Sequence, residues 1–213
     1  MGKTLQRGFT LIEVMVALAI IAIMAAMGGP RLRQWMLDNQ VREAAMLTAD
    51  ALHLARTEAM RSGINQIVFL GVDFASTPIT NASGIPSIRV QSDIDNDCTT
   101  PDADDVSQRD FAIPDGVFMG TTNASTQAPA DTGTASLPST FTQPSSGSPQ
   151  AFWVMFRPDG VPVGLTTACV AGRIGTGGGA VYITNGRVDY SISLTRLGAV
   201  RVSPFEQGSG TWN

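Results

Sequence analysis

The chain has 213 residues, a formal net charge of -4 and only 15% charged residues. That length holds one membrane segment plus one globular domain of ordinary size, and the acidic balance argues against nucleic-acid binding driven by bulk charge, leaving only a local basic patch. A single histidine, His53, removes most metal-site and histidine-based catalytic schemes, and the two cysteines, Cys98 and Cys169, fit either one disulfide in an oxidising compartment or two buried thiols.

The first element is the run RGFTLIEVMVALAIIAIMAAMGGP, from Arg7 to Pro30. Lys3 and Arg7 precede it and hold the short N-terminal side in the cytoplasm by the positive-inside rule. Residues 14–29 carry no charge, and with residues 9–12 and 32–37 on either side the run reaches the length of about 20 residues that a bilayer requires. A secretory signal cut near Ala25 and Ala26 has the same composition. Against it stand Glu13 inside the apolar stretch, the unusual boundary sequence Gly8-Phe9-Thr10-Leu11-Ile12-Glu13, and a helical pattern that continues far past the apolar residues. A carboxylate in hydrocarbon costs roughly 2.5–3.5 kcal/mol even on lenient insertion scales, so Glu13 needs a reason.

GFTLIE followed by an apolar helix and a proline resembles the class III signal of type IV pilins and type II secretion pseudopilins. The resemblance implies that a prepilin peptidase removes residues 1–8 by cutting after Gly8, and that the new terminal residue, Phe9, becomes N-methylated. It further implies that Glu13 engages the terminal amine of a neighbouring subunit as helices pack. Such pairing offsets part of the desolvation penalty, because attraction strengthens where the dielectric is low. Residues 9–35 are then the transmembrane and assembly half of one helix, and residues 36–213 a periplasmic globular domain.

Gly28, Gly29 and Pro30 predict a kink or a locally melted turn near residues 27–31, since proline removes a backbone bond and glycine weakens the turn. From residue 31 to 61 the pattern is amphipathic. Leu37, Val41, Ala44, Thr48, Leu52, Ala55 and Ala59 step at intervals of three and four, so they share a face. The helix is expected to stop at Ser62-Gly63, about 80 Å from Phe9 at 1.5 Å per residue. His53 lies beside the stripe as a structural histidine.

Past Gly63 the period changes. Segments 64–70, 87–91, 111–113, 117–119, 152–156, 181–184, 188–195 and 200–203 are enriched in β-branched and aromatic residues. Pro114-Asp115-Gly116, Pro158-Asp159-Gly160 and Asn185-Gly186 mark turns, the last a hairpin signal. A long helix followed by consecutive hairpins predicts an α+β fold, antiparallel sheets packed on the helix. LHLARTEAMRSG at the helix end, FRPDG before a strand and ISLTRLGAVRVS near the C-terminus are similar to the GspH/FimT/FimU group of minor pilins and pseudopilins. Residues 121–150, rich in Thr, Ser, Ala, Pro and Gly with Asp131 as their one charge, read as a flexible exposed loop. Its functional alternative is a contact loop at a filament tip.

Asp93, Asp95, Asp97 and Asp104 have part of the spacing of a calcium loop, but Cys98 stands where the turn glycine belongs and the closing acid is not Glu. The expectation is a solvated acidic turn and no cofactor, calcium being the alternative. GTGGGA at 175–180 lacks the Lys-Ser/Thr of a phosphate cradle and precedes a strand. Cys98 and Cys169 both fall on the periplasmic side under this topology, where a disulfide between them can form if geometry permits. Arg187, Arg196 and Arg201 recur in the last strands. Some FimT-like pilins bind DNA through an arginine-bearing C-terminal pattern, Gly-Arg-any-Arg; here Gly198-Ala199-Val200-Arg201 lacks the first arginine, and isolated arginines at a sheet edge serve as solvated gatekeepers.

These readings point to a non-enzymatic minor pilin in the tip or initiation complex of a type IV pilus. Expected partners are other minor pilins, a major pilin or pseudopilins, the prepilin peptidase and the inner membrane. A minor pseudopilin of type II secretion and a DNA-binding pilin of natural transformation are the alternatives.

Overall fold

The computed structural model describes residues 9–94, 108–129, 131, 138–142, 144 and 149–213. They form one long helix, α1 (Leu11–Ser62), and twelve strands. The chain divides into two compact units, residues 1–37 and 38–213.

In the first unit α1 is apolar on all sides. Leu11, Ile12, Leu18, Ile21 and Met24 are all more than half exposed, the pattern of a helix that its own chain does not cover. Residues 27–31 are helical, so the melted turn does not occur. A bend that keeps the helix intact is the form in which Gly28, Gly29 and Pro30 can still act there.

In the second unit the helix becomes amphipathic. Val41, Ala44, Thr48, Leu52, Ala55 and Ala59 are buried, and Ala45, Ala49 and Ala51 widen the buried stripe. Alanine at so many of these positions lets the helix approach the strands closely. Thr48 returns its hydroxyl to the carbonyl of Ala44 at 2.7 Å, which satisfies a polar atom in the core. The helix ends where expected: Gly63 has φ +71° and its N–H donates to Ala59.

Two five-stranded antiparallel sheets follow. The first has the order β3 (Gln108–Ala112), β2 (Ser87–Asp93), β1 (Asn65–Leu70), β7 (Trp153–Phe156), β8 (Pro162–Val163). The second has the order β12 (Thr211–Trp212), β11 (Val200–Glu206), β10 (Asp189–Leu194), β9 (Gly179–Thr184), β4 (Phe118–Met119). A small pair, β5 (Phe141–Thr142) and β6 (Pro149–Ala151), completes the set. One hydrophobic core joins the helix stripe to Ile67, Phe69 and Phe156 of the first sheet and to Val181, Ile183, Ile192 and Leu194 of the second. Arg89 and Asp110 face each other across β2 and β3 and form a two-pronged ion pair at 2.8 and 3.2 Å.

Asn185-Gly186 does close the β9–β10 hairpin, with Thr184 opposite Asp189. Asn185 Oδ1 accepts the N–H groups of Arg187 and Val188, both at 3.0 Å, so the side chain builds the turn.

The segment expected to be a flexible loop is partly a strap. The buried carboxylate of Asp189 accepts the backbone N–H groups of Thr122, Asn123 and Ala124, the last two at 2.6 and 2.7 Å. Tyr182 donates its hydroxyl to Asp131 and accepts the N–H of Ala128, and Trp212 Nε1 donates to the carbonyl of Thr126. Residues 121–129 and Asp131 therefore lie on the outer face of the second sheet, over Ala180, Tyr182, Phe205 and Trp212. Composition misses this because the holding groups are side chains elsewhere that satisfy the strap's backbone.

Candidate assembly site

The N-terminal segment is built around Thr10. Its carbonyl and its hydroxyl oxygen both accept the N–H of Glu13, at 3.1 and 3.3 Å. Thr-Leu-Ile-Glu thus has the arrangement of a capped helix start, with the carboxylate of Glu13 in the first turn, where the helix dipole favours an anion. This capping role of Thr10 is readable as a threonine three residues before a glutamate, a signal that the membrane pattern overshadows. Phe9 is 82% exposed and Glu13 is exposed among apolar neighbours. The helix bearing them is long and apolar enough to cross a membrane. Gly8 lies outside the described residues.

At the other end of α1 the three later motifs meet. Arg56, from the helix-end motif, donates from Nη1 to the carbonyl of Gly198, from the last motif, at 2.8 Å. Gly198 has φ +84°, and a Cβ there would stand 2.9 Å from the carbonyl oxygen of Gly160, from the Pro-Asp-Gly turn, and 3.2 Å from Arg56 Nε. A Cβ on Gly160 would meet Met60 Sδ at 2.8 Å. The motifs are therefore one packing junction between the helix and two turns.

The remaining candidates separate. Arg187 sits in the β9–β10 turn, 3.8 Å from Asp38, whose other oxygen accepts Asn185 Nδ2 at 3.2 Å. Arg196 lies in the turn at the far end of β10, roughly 20 Å away for a six-residue strand. Arg201 is exposed on β11, opposite Ser193. The three arginines do not make one patch. Asp93 is buried as the last residue of β2, in register with Asn65; Asp95, Asp97 and Asp104 lie outside the described residues. Among the described residues no group of three or more His, Cys, Asp or Glu could hold a metal ion. Cys169 is partly buried against the core, and Cys98 lies outside the described residues. The glycine run ahead of β9 is explained by packing: a Cβ on Gly177 would fall 2.3 Å from the backbone of Pro162. His53 is exposed on the helix, with its carbonyl accepting the hydroxyl of Thr57.

Residues 3–29 match the prokaryotic N-terminal methylation motif. The chain is 41% identical over 61 residues to the type IV major fimbrial protein FimA of Dichelobacter nodosus strain VCS1703A, a match covering 29% of this chain and 37% of that protein. Against another FimA from Dichelobacter nodosus it is 31% identical over 101 residues, covering 44% of this chain and 58% of that protein. The N-terminal part of this chain is similar to that of type IV fimbrial proteins. The matched motif contains Gly8, Phe9, Glu13, Gly28 and Gly29 of this chain. The chain spans less than two thirds of the length of these curated relatives. No solved structure matches it.

Proposed function

We propose that this chain is a non-enzymatic minor subunit that joins the tip or initiation complex of a type IV pilus. It is held in the inner membrane by residues 9–35 before assembly, with residues 36–213 in the periplasm. The observation that carries the reading is the contrast along α1: its second-unit stripe is buried by the chain's own sheets, while Phe9, Leu11 and Ile12 are 82%, 81% and 68% exposed. An apolar surface of that kind is covered either by lipid or by the helices of other subunits. The convergence of Arg56, Gly160 and Gly198 supports the minor-pilin resemblance, since it makes one structural unit of its three motifs. Processing between Gly8 and Phe9 with N-methylation of Phe9, pairing of Glu13 with a neighbouring Phe9 amine, and a Cys98–Cys169 disulfide belong to the same proposal. A minor pseudopilin has the same architecture and is the second reading within this class.

A third reading, a major subunit, is favoured by the names of the curated relatives, which are major fimbrial proteins. Mass-spectrometric quantification of sheared filaments separates them. A minor subunit is present at a few per cent or less of the bulk subunit and begins at N-methyl-Phe9. Finding this chain as the bulk of the filament would replace the minor-pilin reading with the major one.

A further inference from the structure

A groove of about 1090 Å³ opens in the second unit where the ends of β1, β2, β3 and β7 meet the edge strand β4. Its walls are apolar: Leu70, Val72, Ile85, Ile113, Phe118 and Phe152. Phe118 is 64% exposed and Ile85 43%. Among the described residues its charged lining is Glu43 from α1 and Asp115, both exposed, with no Lys or Arg. Among the described residues no strand pairs with the other side of β4. β4 pairs on one side with β9, and Gly120 donates to the carbonyl of Tyr182 at 2.8 Å. Backbone groups in an antiparallel ladder alternate sides, so the N–H and C=O of Met119 point away from β9.

We propose that this groove is a docking site for an extended segment of a partner polypeptide, apolar at alternate residues and carrying a Lys or Arg. The segment adds to the edge of β4 through its main chain, buries its apolar side chains against Phe118, Ile85 and Ile113, and sets its cation between Glu43 and Asp115. Main-chain pairing supplies affinity and tolerates sequence, while the pockets and the two carboxylates supply selection. Like-charged segments are rejected by the same carboxylates. All its lining residues belong to residues 38–213.

The test uses the full chain in detergent micelles and fluorescently labelled seven-residue peptides. The first is Val-Thr-Val-Lys-Val-Thr-Val; the second has Glu in place of Lys; the third is the first with alternate backbone nitrogens methylated. The Lys peptide is expected to bind, with the Glu peptide about fivefold weaker or worse, as two exposed charge pairs imply. That ratio should collapse in a Glu43→Gln, Asp115→Asn variant, whose substitutions are exposed and leave the core untouched, and should shrink as salt is raised. The methylated peptide should lose binding. No binding of the Lys peptide, equal binding of both charges, or retention of the methylated peptide overturns the proposal. So does concentration-dependent self-association abolished by Phe118→Ser, which would make a second copy of this chain the occupant.

Discussion

The guanidinium of Arg56 reaches the carbonyl of Gly198 at 2.8 Å across 142 positions of sequence. This single bond ties the last turns of α1 to the β10–β11 turn. It also sets the space available at Gly198, whose left-handed backbone and tight approach to Gly160 exclude a side chain.

Gly198→Ala should therefore destabilise the folded domain by about 1–3 kcal/mol, from strain at positive φ plus displacement of Arg56. A urea titration of the purified chain checks the shift in midpoint. Gly186→Ala, also at positive φ but with open space around it, should cost less. Equal losses at the two glycines would show that backbone conformation alone, without the junction, sets the cost.

Asp189 provides a second test, because its buried carboxylate collects three backbone N–H donors of the strap. Asp189→Ala leaves these donors without an acceptor and should cost about 3 kcal/mol. Asp189→Asn can keep its carbonyl oxygen toward Asn123 and Ala124 and should cost about half as much. Amide exchange resolved by segment should accelerate at residues 122–128 in both variants, in that order. Unchanged exchange there would mean that Tyr182 and Trp212 hold the strap without Asp189.

Much of the fold was legible from pattern alone. The seven-residue helix stripe, the Gly63 stop and the Asn185-Gly186 hairpin all depend on local periodicity or turn chemistry, which one sequence displays. Leu37 is the exception within the stripe: it is on the boundary of the two units and partly exposed. The strap was not legible, since Thr122, Asn123 and Ala124 are held by a residue more than sixty positions away. Strands β5, β6, β8 and β12 are two or three residues long, too short to show a period. At the candidate site the Phe9–Glu13 motif was readable because its residues are contiguous. The groove beside β4 was not, because its walls come from six separate stretches of chain.

The Tyr182 phenol is pushed above its ordinary value by burial first, then by its hydrogen bond to Asp131. The sign follows from linkage. Below pH about 10 the phenol is protonated in both folded and unfolded chains and contributes no pH dependence. Above that the unfolded chain releases its proton first, so stability falls as pH rises, by up to about 1.4 kcal/mol per pH unit. Denaturant midpoints at pH 9, 10 and 11 should decline more steeply in the native chain than in Tyr182→Phe. Parallel profiles would place the alkaline loss elsewhere.

Cys169 sits in a tight turn after β8, with φ +56°, and the chain's other cysteine is Cys98. If they are joined, intact mass after alkylation without reductant should show no modified thiol. Cys98→Ser should leave Cys169 fully alkylated and lower stability by about 2–4 kcal/mol. Alkylation of both thiols in unreduced periplasmic material would refute the pairing.

The last prediction concerns Glu13, which the helix start and the membrane constrain together. Its place in the first turn is favourable for the helix, and its exposure among apolar side chains is unfavourable in lipid. Glu13→Ala removes both effects at once: insertion becomes easier, while the first turn loses about 0.3–1 kcal/mol of dipole interaction. Cleavage after Gly8 should therefore continue, and the melting of residues 38–213 should not move, because Glu13 belongs to the other compact unit. What should fail is association, since the proposed partner is the Phe9 amine of another subunit. Glu13→Gln separates charge from shape: it keeps hydrogen-bonding capacity but cannot pair as an ion. Co-purification of each variant with other pilins from membranes should drop for both substitutions, more for Ala than for Gln. If both variants co-purify and assemble at the native level, Glu13 is a helix-start residue tolerated at the membrane edge, and the exposed apolar helix recruits its neighbours by packing alone.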